Sequence, residues 1–380
     1  MAETEQGVCA DRAPISGAPS AAAQEKGAAL RHGMGHQHCA PPAAPFVSVF
    51  ILNWNGARLL PSCLEALGRT DYPAGRWEAV IVDNASTDGS DGAARAAFPW
   101  VRVVRNPANW GFARGYNGVL QAAPGPYVVL LNSDTRVRPA WLRALVEAAE
   151  ADPQVAAATA KCVYPPDGPL GGCIQNAGGL LLANGAGRDR GTLVRDGRVL
   201  HEPDCGQYDR LEEVFSFCGA AALLRKAALE DAGYLDQRYF MYYEDLDLSW
   251  RFRLRGWKVV YVPGAVVEHE HAASSREWSP LFIYNVERNR PLMLLKLAPL
   301  SLAAREMGRY LLEFAVTCCG VLWWVATRRQ RGPHAARARL QARVILSWLR
   351  DLPGVLLDRW RIQRARRVPH SEIARWMAPA

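Results

Sequence analysis

Five apolar runs punctuate the first half of the chain: VSVFIL from Val47, WEAVIV from Trp77, VRVV from Val101, YVVLL from Tyr127 and VAAATA from Val155. Between them, apolar residues recur at helical spacing near residues 57–67, 89–97, 114–122 and 139–150. Runs rich in β-branched residues suit strands covered on both faces, and their alternation with helices predicts an α/β domain on a mostly parallel sheet. Pro139 is expected to open the fourth helix just after Asp134 and Thr135, as a first-turn proline.

The rhythm breaks over residues 165–210, where LLLANGAG and GTLVRDGRVL read as an inserted hairpin, with Asp196-Gly197 as a two-residue turn. It resumes with FSFCGAAALL, a short helix from Arg225, a carboxylate cluster, a helix to Arg255 stopped by Gly256, and a strand at KVVYV. The predicted organisation is a leader at 1–44 without an apolar period, a catalytic domain at 45–290, and a helical appendage at 291–380.

A chain of 380 residues, 49% hydrophobic, can bury the core of one large domain plus an appendage. Its net charge of +8 is local: residues 301–380 hold 15 arginines against five acids, so the preceding 300 residues sum to −2. Nine cysteines without a CxxC pair fit a reducing compartment. The N-terminus carries Glu3, Glu5 and Asp11 and no apolar h-region, so catalysis is expected to face the cytoplasm. His32, His36, His38 and Cys39 form a potential transition-metal set within the leader.

Four segments carry candidate chemistry. Asp83 ends the second strand, at the edge where open α/β sheets bind ligands, and opens DNASTDGS; its carboxylate suits a pyrimidine imide or, alternatively, an Asx turn or helix cap. In NPANWGFARGYN, Gly111 permits close backbone approach, and Asn109 and Asn117 offer paired donors and acceptors, although a turn before a helix has the same composition. Asp134 of LLNSDT follows an apolar strand, where a carboxylate needs a partner: a magnesium or manganese ion carrying substrate phosphates, or the N-terminus of a helix. In YYEDLDL, the crowded Glu244, Asp245 and Asp247 push their pKa values apart, which is how a general base arises, with Asp245 the favoured one. Glu244 or Asp247 pairing with Arg251 is the structural alternative. His269 and His271 of EHEHAASS point the same way on an extended backbone, and one of them can complete a metal shell.

In their order, VSVFILNWNG, VDNASTDGS, NWGFARGYN, LLNSDT, GAAALLR, YYEDLDLSWR and the late histidines resemble glycosyltransferase family 2, and its bacterial rhamnosyltransferase-like members in particular, over about residues 46–290. The resemblance implies a GT-A fold with an inserted hairpin and a C-terminal helical appendage, and an inverting transfer from a nucleotide sugar. By that likeness Asp83 meets the nucleotide base, Asp134 is the acid of the DxD-type metal motif, His269 matches the late metal-site histidine, and Asp245 is the base with Glu244 beside it. Asn132 stands where a first aspartate is frequent. Asn53, Asn55, Asn109, Gly111, Asn117, Asn132 and Asp247 are the further substrate-binding candidates, and Trp54, Trp110, Tyr242 and Tyr243 are expected to stack on sugars. The expected partners are a nucleotide-sugar donor, dTDP-rhamnose before UDP-hexoses, and a glycan or polyprenyl-linked acceptor.

The apolar run near 311–326 is about 16 residues long and includes Glu313, short of the roughly 20 a bilayer span requires. Leu340, Val344, Ile345, Trp348, Leu349 and Leu352 recur at helical spacing among arginines, predicting an interfacial helix on the anionic inner face of the cell membrane, or else a helix packed on the catalytic core. A dinucleotide-dependent oxidoreductase is disfavoured, since NWNGARLL rather than GxGxxG follows the first strand. A nucleic-acid-binding role lacks a recognition motif. A non-catalytic nucleotide-sugar-binding scaffold would leave Asp134 and Asp245 unexplained.

Overall fold

The computed structural model describes residues 43–195, 198–270, 279–326 and 333–379. The chain divides into residues 1–44 and one compact unit from Pro45 onward, which holds everything below. The leader histidines with Cys39, the Asp196-Gly197 turn and His271 lie outside the described residues.

The predicted alternation is present. β1 (Val47–Asn53), α1 (Leu60–Leu67), β2 (Trp77–Asp83), α2 (Ser90–Ala97), β3 (Arg102–Arg105), α3 (Gly111–Ala122) and β4 (Tyr127–Asn132) follow in order. β5 (Thr135–Val137), α4 (Trp141–Ala151) and β6 (Val155–Val163) come next. Strands β1 to β4 pair in parallel in the order β4-β1-β2-β3. Register aligns Asn53 with Asp83 and Leu52 with Asn132, so the polar residues that end β1, β2 and β4 share the carboxyl edge of the sheet.

Pro139 does not begin a helix: β5 intervenes, and α4 starts at Trp141 with no side-chain cap. Asp134 therefore sits in a tight turn between two strands, which removes its reading as a helix cap.

The insertion contains β7 (Ile174–Asn176), β8 (Gly179–Leu182), β9 (Gly187–Asp189), β10 (Thr192–Arg195) and β11 (Arg198–His201). It holds two antiparallel pairs, β8 with β9 and β10 with β11, where the sequence suggested one hairpin. β7 adds to β6, which brings the insertion to the same sheet edge.

β12 (Glu212–Glu213), β13 (Ala221–Arg225), α5 (Lys226–Ala232), α6 (Glu244–Leu254) and β14 (Lys258–His269) complete the catalytic core. β13 runs antiparallel between β4 and β6, so the sheet is mixed but mostly parallel. β14 pairs in parallel with β6, shifts register between Val262 and Val266, and ends antiparallel to β5 with His269 opposite Thr135. The sheet with helices on its faces and an inserted edge subdomain is the GT-A arrangement anticipated from the sequence.

The chain ends in α7 (Pro280–Leu297), α8 (Leu300–Ala326), α9 (Pro333–Ala365), α10 (His370–Ala374) and β15 (Met377–Ala378). These helices share a core with α6: Trp250 and Leu254 pack with Leu292, Leu297, Val344 and Trp348. The stripe expected to meet lipid is thus largely internal, with Val344 and Trp348 buried and the Trp348 indole donating to the Arg288 carbonyl at 3.0 Å. Leu349 is the exception; it is exposed with Leu346, Leu356, Leu357 and Trp360. Among the described residues, no helix is long and apolar enough to cross a membrane. The seven described cysteines are free thiols.

Candidate active site

A cleft of about 560 Å³ opens at the carboxyl edge of the sheet, lined by Trp54, Asn109, Asn132, Asp134, Asp245 and His269 among others. The nine-residue β6 fills the sheet centre behind it, while short polar strands of the insertion form a side wall that includes Gln175, Asn176 and Asp189.

Asp134 and His269 meet because β14 brings His269 opposite Thr135. The imidazole Nε2 lies 3.1 Å from Asp134 Oδ1, and the Glu270 amide donates to the Asp134 carbonyl at 3.0 Å. On the other side of the ring, Nδ1 contacts Gln175 Oε1 at 2.5 Å. If Nδ1 carries the proton toward Gln175, Nε2 presents a lone pair beside the carboxylate, the arrangement in which an outer partner orients a histidine ligand. Burial alone would push the His269 pKa down, but the adjacent Asp134 charge and hydrogen bond outweigh it and raise the value. Two protein ligands plus phosphate oxygens and water suit magnesium or manganese, so this donor set fits the expected cation.

Glu244 and Asp245 open α6. Asp245 accepts from the Leu246 amide at 2.7 Å and the Gly219 amide at 3.3 Å, and it lines the cleft. Burial raises its pKa above the ordinary carboxylate range, although those amide bonds oppose the shift. Glu244 is buried, its Oε2 without a hydrogen-bond partner among the described residues. Burial first, and the Asp245 charge second, hold its carboxyl well above the ordinary value. Of the two, Glu244 is raised further, so Asp245 is the one that ionises first.

Asp247 is elsewhere. Its carboxylate is fully buried, held by Arg251 Nε at 2.9 Å and Lys296 Nζ at 2.5 Å, and it does not line the cleft. Asn117 also turns away, bonding both the carbonyl and the amide of Leu235 at 2.8 and 3.2 Å and fixing the loop that leads to α6.

Gly111 serves the same loop from the other side. Its φ is +69°, a Cβ there would lie 2.2 Å from the Phe240 carbonyl oxygen, and the following Phe112 amide donates to that oxygen at 2.6 Å. Asn109 Oδ1 accepts from the Gly111 amide at 3.0 Å, while Asn84 Nδ2 donates to the Gly111 carbonyl at 2.9 Å.

Asn53 and Asp83 form one buried network. Asn53 Nδ2 is 3.0 Å from Asp83 Oδ1 and reaches Ser86 and Ser90 as well; Arg105 stands 3.3 Å from Asp83 Oδ2. Asn55, at φ +51°, accepts from the Thr87 amide at 2.8 Å and ties the β1 loop to the β2 loop. Asn132 lines the cleft, and its amide donates to the Ala220 carbonyl at 2.9 Å. Trp54 stands 46% exposed at the rim, as a stacking surface must. Tyr242 and Tyr243 also line the cleft; Trp110 instead packs under the Arg114 guanidinium, 4.2 Å away.

Sequence reading missed Gln175, Asp189 and Asn289. Asn176 Nδ2 donates to Asp189 Oδ1 at 2.7 Å, which holds a further cleft carboxylate, beside Asp134, Glu244 and Asp245, on the insertion. Asn289, fully buried in α7, donates to the carbonyls of Met241 and Tyr242, both at 2.9 Å. It thereby braces Tyr242 and Tyr243, whose φ values of +69° and +73° are costly for residues with side chains.

Comparison with known proteins places this geometry in a family. The glycosyl transferase family 2 model matches residues 48–233, and the glycosyltransferase-like family 2 model matches residues 191–291. An N-acetylglucosaminyl-diphospho-decaprenol L-rhamnosyltransferase of Mycobacterium tuberculosis is 32% identical over 220 residues, covering 52% of this chain and 67% of its own. An uncharacterized protein of Sinorhizobium fredii is 30% identical over 240 residues, 60% of this chain and 25% of its own length. A solved mannosyltransferase of Pyrobaculum calidifontis, in complex with GDP-Man and Mn2+, aligns over 82% of this chain and 88% of its own with a TM-score of 0.45 at 20% identity. The chain belongs to glycosyltransferase family 2 and is a glycosyltransferase.

Proposed function

We propose that the chain transfers a single sugar, rhamnose from dTDP-rhamnose in the first instance, to a polyprenyl-linked or cell-surface glycan, with inversion at the anomeric carbon. The observation that carries this reading is that Asp134 with His269 and the Asp245–Glu244 pair open into one cleft. The name of the mycobacterial relative, which specifies both a rhamnosyl group and a lipid diphosphate acceptor, supports the choice of donor and acceptor.

Asp134 and His269 would hold a magnesium or manganese ion, and Gln175 would orient the histidine. Bound there, such an ion supplies charge neutralisation to the departing nucleoside diphosphate. Asn53, Asn55 and Asp83 brace the base end of the donor site, Asn109 and Gly111 shape its wall, Asn117 supports it indirectly by holding the loop before α6, and Asn132 stands beside the phosphates. The acceptor oxygen bonds to the anomeric carbon as the carbon–phosphate oxygen bond breaks. Asp245 accepts the hydroxyl proton, with Glu244, the carboxyl raised further by burial, beside it. A single displacement of this kind inverts the centre.

We assign the chain to the cytoplasmic membrane surface as a peripheral protein. Exposed Leu346, Leu349, Leu356, Leu357 and Trp360 on α9, flanked by exposed Arg350 and Arg361, support this assignment. The function is tested with Asp245→Asn, which should retain nucleotide-sugar binding and lose transfer. Near-normal turnover by that variant would remove Asp245 from the role of base.

A further inference from the structure

The insertion brings to the cleft a carboxylate that the transfer chemistry above leaves unused. Asp189 of β9 is exposed and lines the cleft, yet it is held in place. Asn176 Nδ2 donates to its Oδ1 at 2.7 Å, and Asn176, only 2% exposed, accepts from the Gly178 amide at 2.7 Å through its own Oδ1. The Thr192 hydroxyl donates to the Asp189 carbonyl at 2.7 Å. The next residue, Arg190, donates its amide to the Gly178 carbonyl at 2.9 Å, and its guanidinium lies over the Tyr208 and Tyr261 rings at 4.8 and 5.0 Å. Fixing an exposed carboxylate costs side-chain freedom with little burial in return, which suits a group prepared for a ligand.

Gly187 and Asp189 are two apart on a strand, so they face the same way, and both line the cleft. A Cβ on Gly187 would lie 3.2 Å from Leu246 Cδ2, so this face of β9 runs beside the start of α6, where Asp245 stands. The Asp189 charge also acts on the Cys218 thiol in the cleft wall, and so does the Asp245 charge.

The strand order sets which substrate Asp189 meets. In the run β6-β13-β4-β1-β2-β3, the proposed base site lies at β1 to β3 and Asp134 follows β4. β7 joins the insertion to β6, on the other side of β4. A donor bound this way has its diphosphate at Asp134 and its nucleoside toward β3. A single displacement brings the acceptor to the anomeric carbon from the face opposite the diphosphate, which is the side of β9 and α6.

We infer that Asp189 is a specificity residue for the acceptor: it accepts hydrogen bonds from sugar hydroxyls next to the attacking one. The inference rests on the proposed transfer and narrows its acceptor class. Carboxylate oxygens only accept, so the ring must offer free hydroxyls there. With Asp134 and Asp245 in the same cleft, an anionic sugar is repelled and a neutral one selected.

Kinetics of the full chain test it, with dTDP-rhamnose, manganese and N-acetylglucosaminyl diphospho-farnesol as the acceptor probe. Asp189→Ala should raise the acceptor KM about tenfold or more, as expected for a lost hydrogen bond to a charged group. The donor KM and the slow hydrolysis of dTDP-rhamnose in water, read without acceptor, should stay within about twofold. Asp189→Asn, which keeps one acceptor oxygen, should recover part of the loss. Removing the probe's hydroxyl next to the attacked one should cost the wild type a similar factor and cost Asp189→Ala nothing more. An unchanged acceptor KM, a matching loss in donor KM or hydrolysis, or a wild type that hydrolyses the donor but ignores the probe would each overturn the inference. A wild type that neither hydrolyses nor transfers dTDP-rhamnose would instead overturn the proposed transfer itself.

Discussion

His269 faces Asp134 at 3.1 Å because the end of β14 runs antiparallel to β5, a three-residue strand that the apolar pattern alone does not reveal. The pairing unites two motifs that are far apart in the sequence, and Gln175 fixes the ring from behind. Gln175→Leu should therefore lower manganese affinity about 10- to 100-fold, the usual effect of removing such a support. A manganese titration of nucleotide binding measures this, and an unchanged midpoint would show that Gln175 does not orient the ring.

The Glu244–Asp245 pair predicts a split between two amide variants. Glu244→Gln keeps the shape of the side chain without its charge and should keep transfer within about tenfold, whereas Asp245→Asn should lose roughly 10²- to 10⁴-fold, the typical contribution of a general base. Burial raises the Asp245 pKa, so its basic form is reached at higher pH than that of an ordinary carboxylate. The kcat/KM profile should rise with pH through that shifted value, and Glu244→Gln should preserve the limb.

The loop before α6 is held in a strained form by Asn289 and Gly111. Gly111→Ala would place a methyl group against the Phe240 carbonyl in a backbone conformation that alanine disfavours. Both Gly111→Ala and Asn289→Ala should reduce kcat more than tenfold with circular dichroism preserved. Full activity in Asn289→Ala would show that the tyrosines hold their conformation without it.

Lys296 is buried between Asp236 and Asp247, 2.5 Å from each. Burial alone would raise the Asp236 pKa, but Lys296 and then Arg238 outweigh it and hold it far below the ordinary value. The sign follows: this carboxylate stabilises the fold above the unfolded-state value of about 3.9 and loses that contribution as pH falls toward the folded value. Lys296→Met should cost about 3 kcal/mol at neutral pH, because two buried carboxylates each lose one of their two cationic partners, Arg238 and Arg251 remaining. The deficit should narrow at acid pH as Asp236 protonates. Urea denaturation at both pH values measures it.

Much of the fold was legible because its strands are continuous β-branched runs and its turns carry glycine. The sites legible in sequence were those whose polarity is abrupt, such as Asp134 after YVVLL. What escaped was polarity with no local contrast. Gln175 and Asp189 sit on three-residue strands within a polar insertion, and Asn289 is one amide in an amphipathic helix. Asp247 was indistinguishable from Asp245 until packing buried it against Lys296. The α9 stripe was read correctly as one apolar face, but periodicity cannot tell a helix core from a bilayer, and Trp348 turned inward.

Nucleotide-sugar binding with and without manganese tests the central claim most directly. In a calorimetric panel of dTDP-rhamnose and UDP-hexoses, the wild type should bind at least one donor in a manganese-dependent manner, and Asp134→Ala should abolish that dependence. Binding of no nucleotide sugar, or binding indifferent to both manganese and Asp134, would contradict the account.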